Sequence, residues 1–249
     1  MPAIILTGAS RGIGLAIAKI LLSKNQKVLG VSRSEGPLKE LKAAHPGQFD
    51  YICGDITASA TSDKAIEAAK QLGGGISGIV LNAGILEPVA KVADAKIADW
   101  RNIYEVNVFA VVDLVSKAVP ELRKTHGKCV FVSSGASTGN YVGWSAYGST
   151  KAALNHFAAS LAVEEPEIFS VSIAPGVVDT QMQVNIREQH SGGMDPAVHQ
   201  SFVDRHSNKE LLAPETPGTV IANLAIEGGS KDIDGKYLRW NDEVLAKYQ

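Results

Sequence analysis

The chain predicts an α/β domain built on a doubly wound sheet of seven mostly parallel strands with helices on both faces. Three observations carry this. Short β-rich runs alternate with longer segments of helical period, the rhythm of βαβ units. Three glycines, Gly8, Gly12 and Gly14, stand between the first strand and the first helix. A late helix opens with "WSAYGSTKAAL", which places Tyr147 and Lys151 one turn apart on one face. A solvated helix face shows the same spacing, so that pair acquires meaning only from its surroundings.

The elements follow in order. An apolar strand over residues 3–7 leads through the glycines to a helix over 14–24, and 27–31 forms the second strand. A short helix over 38–44 precedes a strand over 49–53. A helix over 62–72 then leads to the strand 78–81. A long helix over 98–126 is expected to be interrupted towards its end by Pro120. The strand 128–133, the helix 145–164 and the strand 169–174 complete the regular part. From 181 to 217 the sequence turns polar, with Gly192-Gly193, scattered prolines and weak periodicity. A segment of that length reads as a substrate lid, with plain disorder as the alternative. A helix over 219–227 and a strand over 235–240 close the chain. No repeat, low-complexity tract or linker divides residues 1–249, so a single domain is expected.

Composition removes several classes of function. At 249 residues and 45% hydrophobic the chain can bury a full core. A net charge of −2 without any Lys/Arg cluster argues against a nucleic-acid partner. No run of 18 apolar residues occurs, and the apolar start is too short for a signal-peptide core, so a cytoplasmic protein with no membrane partner is expected. Cys53 and Cys129 each fall in an apolar strand-like run and read as buried reduced thiols. The six histidines lack paired ligand spacing, so no metal is expected.

The stretch "ILTGASRGIGLAIAKIL" gives the glycines a purpose. They permit a tight turn and close backbone approach, while the free N–H groups of the helix start favour a pyrophosphate. The spacing is G-x3-G-x-G, not the commoner G-x-G-x-x-G. The letters from Gly8 to Gly12 also fit the G-x-S-x-G elbow of a serine hydrolase with Ser10 as nucleophile, although that elbow normally follows several strands. The second strand ends "GVSRSE", with Ser32 and Arg33 where an NAD enzyme would carry an acid. Arg33, with Arg11 approaching from the glycine turn, suits a ribose 2′-phosphate and favours NADPH over NADH. Glu35 nearby is the residue that opposes this.

Together these residues resemble the short-chain dehydrogenase/reductase family, from residue 6 to about 180. The matching motifs are "TGASRGIG" (7–14), "GDI" (54–56), "LNAG" (81–84), "VNV" (106–108), "VSSGAS" (132–137), "YGSTK" (147–151) and "APGVVDT" (174–180). The wording around Tyr147 is most similar to the benzil reductase branch, related to sepiapterin reductase. The resemblance implies a Rossmann fold, NADPH/NADP+ as cofactor, a small-molecule carbonyl substrate and a homo-oligomer, dimer or tetramer. It makes Tyr147 the proton donor and Lys151 the group that lowers its pKa and holds the nicotinamide ribose. Bringing a free phenol from ~10 towards ~7 takes roughly 4 kcal/mol of preference for phenolate. Ser134 becomes the residue that polarises the carbonyl, with neighbouring Ser133 the competing choice. Asn107, a poor helix former inside the long helix, becomes a water-mediated relay to Lys151, with a locally satisfied polar residue as the alternative.

The same resemblance places Gly8, Ser10, Arg11, Gly12, Ile13 and Gly14 at the phosphates. Asp55 and Ile56 then flank the adenine, and Asn82, Ala83 and Gly84 lie along its ribose. Pro175, Gly176, Val178 and Thr180 fall at the carboxamide. Leu86, Tyr141, Val142, Trp144 and Met182 could line an apolar pocket for an aryl ketone or diketone, or could simply be core. Three readings follow: an NADPH-dependent carbonyl reductase, a dinucleotide-binding sensor without turnover, and a Ser10 hydrolase.

Overall fold

The β-branched runs pair as seven parallel strands in the order β3-β2-β1-β4-β5-β6-β7. The computed structural model describes residues 1–249. The strands are β1 (Ala3–Thr7), β2 (Lys27–Ser32), β3 (Phe49–Cys53), β4 (Ile76–Leu81), β5 (Lys128–Val132), β6 (Phe169–Ala174) and β7 (Tyr237–Arg239). Alternation along each strand feeds two separate cores. Ile4, Leu6, Val28, Val80, Val130 and Val171 face one side, against α1 (Gly12–Ser23), α2 (Leu38–Ala44) and α9 (Glu215–Glu227). Ile5, Leu29, Ile79, Leu81, Cys129 and Phe131 face the other, against α3 (Ser59–Gly73), α5 (Ala110–Thr125) and α6 (Ser145–Glu164). The chain is a doubly wound, Rossmann-like fold. Strand order reverses between β1 and β4, and a crevice opens there beyond the carboxyl ends of the strands.

The predicted long helix does break, but not at Pro120. Pro120 lies inside α5, where both it and Ser116, whose carbonyl loses its helical donor, face solvent, so water can satisfy the freed oxygen. The interruption falls earlier, at a π-helical turn over Glu105–Phe109 that separates α4 (Ile97–Tyr104) from α5 and contains Asn107. Cys129 is buried, and burial pushes its thiol up to about 12. Cys53, expected buried, is exposed, because it ends the edge strand β3.

The polar 181–217 segment is ordered into α7 (Gln181–Gln189) and α8 (Pro196–Ser207). Asp195 caps α8, accepting from the N–H groups of Ala197 and Val198, and Pro196 occupies its first turn. These helices pack on each other and over the crevice, not on the sheet, which is why no sheet-facing apolar stripe was legible. The last residues also fold back: Tyr248 is 1% exposed, its Oη donates to Gly228 O at 2.8 Å, and its carbonyl accepts from Asn223 Nδ2 at 2.9 Å. No helix is long and apolar enough to cross a membrane.

Tyr248 is the largest fully buried side chain, at the end of the chain. Tyr248→Ala should cost about 3–5 kcal/mol in urea denaturation. Tyr248→Phe, which loses only the hydrogen bond, should cost about 1 kcal/mol.

Candidate active site

A cleft of about 930 Å³ runs across the carboxyl ends of the strands. At one end, Gly8 (φ +70°) and Gly12 (φ +52°) make the turn into α1. A Cβ on Gly14 would lie 2.1 Å from Gly8 O, so no side chain fits there. Asn82 latches this turn to β4: its Nδ2 donates to Thr7 O at 3.0 Å, while Asn82 N and Ala83 N donate to Thr7 Oγ1. Arg11 caps α1 through its backbone alone, leaving the helix's first N–H groups without a side-chain partner beside the cleft. Thr180 packs across from Gly12, where an added Cβ would meet its Cγ2 at 3.1 Å.

Ser10, Arg11, Ile13, Ser32, Arg33, Asp55 and Ile56 all line this end. Ser32 is buried and its hydroxyl is spent locally, donating to Ser34 O at 2.5 Å and accepting from Ser34 N. It shapes the turn that carries Arg33. Ser34 and Thr57, which the sequence did not single out, also reach the cleft. The N–H and hydroxyl of Thr57 hold the Asp55 carboxyl below its usual range, with Arg33's charge adding to them. Glu35 is turned to the Tyr51 hydroxyl, a bond that pushes that phenol up to about 12. Arg11 and Arg33 take part in no ion pair.

The central part of the cleft is lined by Ser134, Tyr147 and Lys151, with Asn107 buried behind them. The π-helical turn aims Asn107, 0% exposed, at the loop after β4. There Asn107 Oδ1 accepts from Ile85 N and Nδ2 donates to Ile85 O, both at 2.9 Å, and to Thr150 Oγ1 at 3.1 Å. Its side chain is therefore fully engaged in joining β4, the π turn and α6. Gly84 lies between it and Lys151: an added Cβ would come 3.2 Å from Asn107 Oδ1 and 3.5 Å from Lys151 Nζ. Geometry also separates the two serines. Ser133 donates to Asn155 Oδ1 at 2.6 Å, away from the cleft's reacting end, whereas Ser134 turns its hydroxyl towards Tyr147 and accepts from Ala136 N. Tyr237 on β7 holds the Ser134 carbonyl at 3.2 Å.

Tyr147 and Lys151 share the buried face of α6, with Lys151 Nζ 5.7 Å from the phenol ring centroid and donating to Val132 O at 2.8 Å. Burial dominates both groups. It pushes the Tyr147 phenol up to about 12, with the Ser134 hydroxyl pulling the other way, and it pulls Lys151 down to about 8. A lowered phenol was expected, and the protein matrix alone produces the opposite, because desolvation of the phenolate outweighs the Ser134 hydrogen bond.

At the far end, Trp144 meets Tyr147 edge-on at 5.9 Å and stacks on Phe202 of α8 at 5.6 Å, with Tyr141 beside it at 5.3 Å. Leu86 and Met182 join this wall. Val142 does not: it is 45% exposed and outside the cleft, because the turn at Gly143 (φ +84°) points it to solvent. Pro175, Gly176 and Val178 reach the cleft from the loop after β6, which a bridge from Val178 to Leu212 holds in place. Phe202 carries no signal in the sequence, since α8 packs on a wall assembled only in three dimensions.

The model of the short chain dehydrogenase family matches residues 2–191. The protein belongs to that family. It is 45% identical over 248 residues, 98% of both chains, to an uncharacterized oxidoreductase of Saccharomyces cerevisiae, YIR035C. The crystal structure of YIR035C superposes over 100% of both chains with a TM-score of 0.97. A benzil reductase ((S)-benzoin forming) of the same yeast is 43% identical over 99% of this chain and 98% of its own. The crystal structure of the enzyme KRED1-Pglu, 46% identical, covers 95% of this chain and all of its own with a TM-score of 0.93. This short-chain dehydrogenase is thus an oxidoreductase of a family that works with nicotinamide dinucleotides. The cleft fits such a group: a glycine turn that excludes any Cβ, a helix start with free N–H groups, and two unpaired guanidiniums.

Between pH 8 and 10.5 the unfolded chain keeps a proton on Lys151 that the folded protein has released, so this group makes stability rise with pH across that window. Relative to Lys151→Met, the wild type should gain roughly 2 kcal/mol between about pH 7.5 and about pH 10 in urea denaturation. The raised Tyr147 acts above that range, with stability falling as the unfolded phenol ionises. An unchanged difference between wild type and variant would show that the folded lysine keeps its charge.

Proposed function

We propose that this short-chain dehydrogenase is an NADPH-dependent carbonyl reductase that converts a ketone or α-diketone, benzil-like in character, to a secondary alcohol. The observation that carries the reading is the buried convergence of Ser134, Tyr147 and Lys151 between an aromatic wall and a cation-lined glycine turn. The bound dinucleotide would supply the hydride to the carbonyl carbon. Ser134 Oγ and Tyr147 Oη then meet the carbonyl oxygen as donors, where negative charge develops. Tyr147 gives up its proton to that oxygen. A phenol pushed up to about 12 stays protonated at neutral pH, so the acid is loaded before reaction.

Lys151 stabilises the phenolate that forms, at low dielectric and on the same helix face, and Asn107 acts as a positioning residue by fixing the Ile85 peptide and Thr150 beside them. Gly8, Gly12, Gly14 and Ile13 would hold the pyrophosphate, Asp55 and Ile56 the adenine, and Asn82 to Gly84 the adjoining ribose. Pro175, Gly176, Val178 and Thr180 would orient the nicotinamide, which is much of the catalysis. α7 and α8 would serve as a lid that excludes water from the aromatic wall, with His190 Nε2 tied to Glu87 Oε1 at 3.1 Å.

NADPH is preferred over NADH because Arg11 and Arg33 both face the cleft uncommitted while Glu35 is held by Tyr51. A hydrolase based on Ser10 is disfavoured, since no histidine lines the cleft to act as its base. A sensor would not need Tyr147 and Lys151 buried together.

Loss of NADPH absorbance against a panel of diketones, quinones, pterins and aldehydes tests the reading, and a silent panel would favour the sensor. Tyr147→Phe should lower kcat about 10²–10⁴-fold while leaving NADPH binding nearly intact. Arg33→Ala and Arg11→Ala should each raise the KM for NADPH about tenfold or more, with little change for NADH; equal effects on both cofactors would remove the phosphate role.

A further inference from the structure

The cleft is electropositive in a protein of net charge −2: Arg11, Arg33, Lys151, Arg205 and Arg239 line it against only Asp55 and Glu87. Both carboxylates are occupied, Asp55 by Thr57 and Glu87 by His190. Arg11 and Arg33 stand at the glycine turn and Lys151 under the reacting phenol, where the reading above already uses them. Arg205 stands elsewhere. It lies on α8 three residues after Phe202, hence on the same helix face, and both side chains line the cleft. Phe202 stacks on Trp144, which touches the Tyr147 ring. The guanidinium is therefore about one helical turn along from the aromatic wall that flanks the reacting end.

Nothing in the protein neutralises Arg205. It takes part in no ion pair, and the acids next to it in sequence are engaged otherwise: Asp204 accepts from Gln200 Nε2 at 2.8 Å, and Glu210 accepts from Asn208 while its own N–H donates to the Arg205 carbonyl. Its place in the last turn of α8 suits the helix dipole, and it stands there exposed to solvent while also lining the cleft. A neutral diketone would leave this cation unused.

We propose that the favoured substrate is an aryl ketone that also carries a carboxylate, with its ring against Trp144 and Phe202 and its carboxylate accepting forked hydrogen bonds from Arg205. This rests on the reductase reading, and it makes Arg205 the residue that selects keto acids over neutral ketones.

The test compares phenylglyoxylate with its methyl ester as substrates for the full-length protein with NADPH. The wild type should prefer the acid, and its KM for the acid, not for the ester, should rise with ionic strength. In Arg205→Met the acid-to-ester ratio of kcat/KM should fall at least about tenfold, and Arg205→Lys should restore part of it, since a point charge replaces a fork. Equal losses on acid and ester, or a rise in the KM for NADPH that accompanies both, would overturn the assignment. Calorimetric titration of phenylglyoxylate into the NADP+ complexes of wild type and Arg205→Met reads the site without turnover. Binding that depends on Arg205 but yields no reduction of either compound would sustain the anion site and overturn the keto acid as substrate, while a silent diketone panel alone would overturn the reductase reading; binding indifferent to Arg205 would sink the anion site whatever the turnover.

Discussion

Burying a phenol and an ammonium together on one face of α6 sets the terms for everything around them. The medium that removes water from Tyr147 and Lys151 disfavours the charged form of each, so the phenol holds its proton and the lysine parts with its own more readily. A pair in this state needs neighbours that supply hydrogen bonds without adding charge. The protein provides main-chain carbonyls and neutral side chains: Val132 O for the ammonium, Ser134 for the phenol, Asn107 and Thr150 behind them. Lys151 forms no ion pair with a carboxylate, so its charge is left to the phenol.

Those neighbours are themselves fixed by polar side chains that reach between strands and loops. Asn82 ties the glycine turn to the end of β4, Asn107 ties the next loop to the π turn and α6, Ser133 ties β5 to Asn155, and Tyr237 on the last strand holds the serine loop. Each of these bonds satisfies backbone or amide groups that a loop leaves unpaired below the surface. The crevice of a doubly wound sheet is thereby a rigid floor at one end. At the other, α7 and α8 contribute side chains from outside the sheet, and the aromatic wall belongs half to each.

Charge follows the same division. The chain is slightly acidic overall, yet its cleft gathers cations, and two of the carboxylates nearby are drawn off, Glu35 to Tyr51 and Glu87 to His190. A low-dielectric cleft focuses such a field, which favours anionic ligands along its length.

Local chemistry made much of this legible from the sequence. The alternation of apolar runs gave all seven strands and most helices, because strand and helix periods are local and both sheet faces are covered. The glycines gave the turn, because only glycine tolerates the required φ values and the contact at Gly14. The four-residue spacing put Tyr147 and Lys151 on one face, because helical geometry is local. Tertiary structure decided the rest, since each remaining question depends on what a residue meets across the fold. It separated Ser134 from Ser133, adjacent in sequence but opposite in direction. It placed the helix break at Asn107, where a tertiary partner rewards the irregularity, and not at Pro120, where water tolerates it. It took Val142 out of the pocket and brought Phe202 and Arg205 in from a segment without visible periodicity. It also decided how the protein matrix by itself biases the Tyr147 phenol, because desolvation is set by everything packed around a group and no spacing along the chain records it.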